Sequence, residues 1–88
     1  MATKNPYGKT VKPDKAYAVY TDTRLPGWTW YVLKTYQSPE NAAKNPYARV
    51  FAKVTSPMTG SYGDLGDTYV KDLGNTLVSG VDVKKGGA

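Results

Sequence analysis

The nearest approach to a catalytic pair in this chain is Asp64 and Asp67, set among the glycines of Gly60-Ser61-Tyr62-Gly63-Asp64-Leu65-Gly66-Asp67. Two carboxylates beside flexible backbone suggest either a Ca²⁺ site or an acid and a base. A calcium loop gathers several carboxylates and carbonyls on a tight segment, and this stretch is short of such ligands. Acid–base catalysis would require a cleft in which Asp64 or Asp67 meets a basic or tyrosyl partner at hydrogen-bonding distance. Next to glycine, aspartate is more simply a turn former. Gly60-Ser61-Tyr62-Gly63 and Gly63-Asp64-Leu65-Gly66 are followed by no Gly-Lys-Ser or Gly-Lys-Thr and by a strand pattern, so no helix N-terminus awaits a phosphate. The 88 residues contain neither His nor Cys, which removes disulfides and the usual zinc and histidine-base chemistries. The sequence therefore assigns no catalytic residue, no metal site and no cofactor, and the expected class is a non-enzymatic protein.

Binding chemistry is better represented. The formal net charge of +5 is concentrated at the ends. Residues 1–15 carry Lys4, Lys9, Lys12 and Lys15 against Asp14, and residues 82–88 carry Lys84 and Lys85 against Asp82, while the body between is nearly neutral. Such a distribution predicts cationic arms that neutralise phosphates. Aromatics are abundant, with eight Tyr, two Trp and one Phe. Beside basic side chains they form stacking platforms for bases, each worth about 1–3 kcal/mol. Phe51 shares a strand face with Arg49 and Lys53, away from Val50 and Val54, and these three complete the expected nucleic-acid contacts. Trp30 and Tyr31 are expected in the core, because nine Val, five Leu and no Ile leave much of the buried area to aromatics.

Five strand-like runs must position these groups. They cover Ala16 to Thr23, Trp28 to Gln37, Ala48 to Thr55, Thr68 to Leu73 and Thr76 to Val83. Trp28, Trp30, Val32, Lys34 and Tyr36 form one face of the second run, with Thr29, Tyr31, Leu33 and Thr35 on the other. The third alternates most cleanly, with Ala48, Val50, Ala52 and Val54 inward. Ser38-Pro39-Glu40 signals an N-cap, a proline at the first helical position and an early acid, and Asn45-Pro46 ends the helical turn. Residues 56–67 read as an irregular glycine-rich loop. Gly80 interrupts the last run and predicts a bulge or a close backbone approach.

The expected fold is mainly β: a small five-stranded, strongly bent antiparallel barrel of Sm-like type, with one short helical turn between strands 2 and 3. Residues 1–15 form an extended basic arm, residues 16–83 the barrel domain and residues 84–88 a flexible tail. No apolar run approaches the length of a membrane span, and Met1 is not followed by a basic-then-apolar leader. A soluble, cytoplasmic protein with no membrane contact is expected.

Trp-Thr-Trp-Tyr-Val-Leu-Lys, Tyr-Gln-Ser-Pro-Glu, Asn-Pro-Tyr-Ala-Arg and Gly-Asp-Thr-Tyr-Val-Lys-Asp, all between Trp28 and Leu73, resemble small proteins of unknown function encoded by tailed bacteriophages, including those of actinobacteria and marine cyanobacteria. The resemblance implies a viral origin and action in the host cytoplasm or in the particle, and carries no activity with it. Two functions follow from the residues. One is a nucleic-acid-binding module. The other is a protein-interaction or self-assembling structural protein, in which Trp28, Tyr36, Met58 and Tyr62 supply contact surface for a protein partner or homo-oligomer.

Overall fold

A computed structural model describes residues 10–85. The chain begins with a 3-10 turn, Pro13–Lys15, and continues through β1 (Ala18–Thr21), β2 (Thr29–Thr35), α1 (Pro39–Lys44), β3 (Arg49–Ser56) and β4 (Gly60–Tyr69). A second 3-10 turn, Val70–Asp72, leads into β5 (Thr76–Gly80). The strands form one antiparallel sheet in the order β4-β3-β2-β1-β5. Among the described residues no ladder joins β4 to β5, and no helix is long and apolar enough to cross a membrane.

One sheet face carries the core. Tyr20 of β1, Trp30 and Val32 of β2, and Val50 and Ala52 of β3 are buried there with Ala42 of α1, Val70, Leu73 and Val83. The alternation of β3 is as its sequence predicts, since Val50 and Ala52 are buried and Arg49, Phe51 and Lys53 point to the other face. In α1 the Ser38 hydroxyl accepts the Asn41 N–H at 3.2 Å, satisfying a donor that the first turn leaves free. Pro39 fits the first turn because its missing N–H costs nothing there.

In three places the chain departs from its sequence pattern. In β2, Val32 pairs with Ala52 but Lys34 pairs with Phe51, so Leu33 is an extra residue in the ladder. The bulge turns Lys34 onto the same face as Tyr31, and leaves Thr35 rather than Lys34 on the core side. Leu33 is buried outside the main core, and its carbonyl accepts the Val11 N–H at 3.0 Å. The end of the expected extended arm, residues 1–15, thus lies against β2 from residue 11.

The second departure is β4, which occupies Gly60–Tyr69 where an irregular loop was expected, while Val70–Asp72 turns where a strand was expected. Its pattern is hidden because the core-side positions opposite β3 are Asp64, Gly66 and Thr68 while Leu65 and Tyr69 lie on the exposed face, and the ladder to β3 holds it. Gly63 permits this, with φ +64° and a backbone so close to β3 that a Cβ would lie 2.6 Å from the Val54 carbonyl oxygen. Gly80 shows the close approach its position predicts, since at φ +89° a Cβ there would strike the Tyr17 carbonyl.

The third concerns the C-terminal end. The buried Tyr20 hydroxyl donates to Asp82 Oδ1 at 2.9 Å and accepts the Val83 N–H at 2.8 Å. The Lys84 ammonium donates to the carbonyls of Leu73 at 2.9 Å and Gly74 at 3.3 Å. Lys84, expected in a flexible tail, is instead a clasp between two segments.

Two groups make stability depend on pH. Arg24 grips Asp22 through its side chain at 2.7 and 2.9 Å and through its backbone N–H at 2.8 Å, holding the carboxyl well below the usual carboxylate range. Burial, then the bond to Asp82, push the Tyr20 hydroxyl above the ordinary tyrosine value. The unfolded chain takes up a proton at Asp22 below about pH 4 and loses one at Tyr20 above about pH 10, while the folded chain resists both changes. Urea titrations are expected to give a stability plateau between those limits and a fall on each side. Asp22→Asn should flatten the acid limb and Tyr20→Phe the alkaline one; unchanged limbs would rule these groups out as the cause.

Candidate nucleic-acid interface

Opposite the core, β2, β3 and β4 present a face whose composition follows from their register. Tyr31 stands opposite Lys53 and Lys53 opposite Leu65. In the next row Lys34 faces Phe51 and Phe51 faces Asp67, and beyond it Arg49 faces Tyr69. Tyr31, Phe51 and Tyr69 therefore run diagonally across three strands, at the roughly 7–8 Å spacing of diagonal neighbours in a sheet. Lys53 and Arg49 flank Phe51 along β3. The sequence placed Phe51, Arg49 and Lys53 together correctly, but assigned Tyr31 to the core. It belongs to this face because, unlike the buried Trp30, it points away from Val32 and Ala52.

A polar knot organises one end of the face. The Tyr36 hydroxyl donates to Asp67 Oδ1 at 2.6 Å, and Arg49 Nη1 lies 3.7 Å from Asp67 Oδ2. The Lys34 ammonium lies 5.0 Å from the centre of the Tyr36 ring, within reach of its negative face. Beyond β4, Tyr47 and Tyr69 meet edge to face at 5.9 Å and 86°. The Lys71 ammonium lies 5.7 Å and 5.9 Å from those two rings and 3.1 Å from Asp72. Lys34, Arg49, Lys53 and Lys71 outnumber Asp67 and Asp72, so the face is cationic. With its rings partly exposed, it can stack planar groups and attract anions.

Asp67 thus meets the tyrosyl and basic partners that an acid–base reading requires. It does so on an exposed strand, where Asp64 stands three residues away and on the opposite face of β4. The trio holds Tyr36 and Arg49 in position on the surface, and no cleft encloses it. Among the described residues no group of three or more acids, His or Cys is placed to hold a metal ion.

The remaining predicted contacts are dispersed. Lys12, Lys15 and Lys85 are exposed, Lys84 is occupied by backbone carbonyls, and Lys4 and Lys9 lie outside the described residues. Trp28 is half-buried, its ring 6.0 Å from that of Trp30, so it packs on the core more than it offers a contact. Met58 and Tyr62 are about as exposed as the sequence suggests, at 90% and 89%, near the β3–β4 turn. Lys34 escaped the sequence reading because of the Leu33 bulge. Tyr69 and Lys71 escaped it because they join Tyr47 only when the chain folds back beside Pro46, whose carbonyl accepts the Lys71 N–H at 3.1 Å. The i, i+2 spacing of Leu65, Asp67 and Tyr69 was the one available signal for β4's part of the face.

The carboxylate of Asp67, accepting the Tyr36 proton, raises the ionisation of that hydroxyl above the ordinary tyrosine value. Asp67→Asn is expected to lower the Tyr36 midpoint in an ultraviolet absorbance titration, with Tyr36→Phe identifying its signal. An unmoved midpoint would show that the bond does not control this tyrosine. Comparison of the chain with protein-family models, with curated proteins and with solved structures finds no match.

Proposed function

We propose that this protein is a non-enzymatic module that binds single-stranded nucleic acid across the outer face of β2, β3 and β4. The observation that carries this reading is the diagonal of Tyr31, Phe51 and Tyr69 with Lys34, Arg49 and Lys53 beside it. The bases would stack on the rings while the cations follow the phosphates, with the basic N-terminal residues Lys4, Lys9, Lys12 and Lys15 adding long-range attraction. In the phage setting that the sequence resemblance implies, the ligand would be met in the host cytoplasm. The finer fold assignment, an Sm-like barrel, draws its support from the strand order β4-β3-β2-β1-β5 and the 3-10 turn before β5.

A second reading, a protein-interaction surface, is favoured by the exposure of Met58 and Tyr62 near one hairpin tip. Anisotropy titrations of labelled single-stranded DNA, duplex DNA and RNA at about 50 and 200 mM salt separate the two. Single strands are expected to bind more tightly than duplex and to weaken with salt. Phe51→Ala should cost about 1–3 kcal/mol of binding, and Arg49→Gln should reduce the salt slope by roughly 0.7. Absence of binding at low salt would overturn the nucleic-acid reading and leave the hairpin tip as the surface to pursue.

A further inference from the structure

At the β3–β4 turn end of the outer face lies an open groove of about 550 Å³, within the roughly 300–1,000 Å³ range of small-molecule clefts. Tyr31, Lys53 and Thr55, adjacent in the ladder between β2 and β3, form its floor. The 3-10 turn Pro13–Lys15, which packs against β2, contributes Asp14 on one side. The β3–β4 turn contributes Pro57 and Ser61 on the other.

Five polar side chains here are uncommitted, while the Ser56 hydroxyl accepts from the Met58 and Thr59 N–H groups. Among the described residues, Asp14, Tyr31, Lys53, Thr55 and Ser61 have no side-chain hydrogen bond or ion pair within the chain. Of the other acids, Asp22, Asp67 and Asp72 each hold a cation and Asp82 accepts from Tyr20, while Glu40 and Asp64 are exposed without a side-chain partner among the described residues. A carboxylate, an ammonium, a phenol ring and two hydroxyls around one groove offer a planar polar group both donors and acceptors.

The donor and acceptor types define that ligand. A carboxylate only accepts and an ammonium only donates. The planar group that satisfies both needs adjacent donors on one edge and acceptors on another, with a flat face for Tyr31. Guanine has this pattern, with N1–H and the N2 amine on one edge and O6 and N7 on another. Adenine and cytosine offer the carboxylate one exocyclic amine, and thymine or uracil a single imino proton. We infer that the groove accepts one guanine of the bound single strand, with Asp14 reading N1–H and N2, Lys53 reading O6 and N7, and Tyr31 under the ring.

This inference rests on the single-strand reading above, and one experiment tells their failures apart. The full chain is titrated by anisotropy with a labelled oligothymidylate, and with the same strand carrying one central guanine, hypoxanthine or adenine. Guanine should be preferred over hypoxanthine, which lacks the N2 amine, and over adenine by a factor of about 5–150, the range for one bidentate base contact. Asp14→Asn should bring the guanine-to-hypoxanthine ratio near one, while Glu40→Gln, on the exposed side of α1, should leave it unchanged. Equal affinity of the native chain for all four strands would overturn the guanine site and leave strand binding standing. No binding to any strand would overturn both.

Discussion

The fold depends on what happens at the Tyr20 hydroxyl. Tyr20 rises from the centre of β1 into the core and reaches a segment more than sixty positions later in the chain, giving its proton to Asp82 and taking one from the Val83 backbone. Those two bonds seat the Val83 side chain, 1% exposed, as a lid on the core. They also place Lys84 where its ammonium can hold the carbonyls of Leu73 and Gly74, at the entrance to β5. A domain of this size buries a smaller fraction of its surface than a larger one does and cannot leave one end of its core open. An aliphatic residue at position 20 would fill the space, but would strand a buried N–H, a loss of about 1–3 kcal/mol.

The same scarcity of aliphatic side chains explains the division between the sheet's two faces. Tyr20 and Trp30 supply bulk to the interior, helped by small residues such as Ala18, Ala42 and Ala52 that let the elements approach closely. The interior is filled before the aromatics are exhausted. Tyr31, Phe51, Tyr69, Tyr47 and Tyr36 remain outside, on the strands and connections nearest to β3. There they meet Lys34, Arg49, Lys53 and Lys71.

Much of this was legible in the residues. Ser38-Pro39-Glu40 encodes a helix start through local chemistry, and that helix forms. The inward set of β3 follows from a period of two, which also puts Phe51 with Arg49 and Lys53. The illegible parts depend on partners rather than on local pattern. A bulge at Leu33 is invisible until β2 is paired with β3, and it decides where Lys34 lies. β4 has almost no apolar alternation, because its core-side positions opposite β3 are Asp64, Gly66 and Thr68. Lys84 read as a mobile charge because nothing in its neighbours announces the two carbonyls that hold it.

That polar β4 has an effect on the behaviour of the molecule in bulk. A ten-residue strand at the border of a sheet offers a row of open backbone donors and acceptors, the template from which fibrils grow. Here the template is spoiled. Gly60 and Gly63 bend it, Ser61 and Tyr62 break its register with β3, and Asp64 sets a charge on the side where a stacking sheet would need a dry surface. The glycines and Asp64 thus make β4 a poor template for the edge-to-edge pairing that its length would otherwise invite.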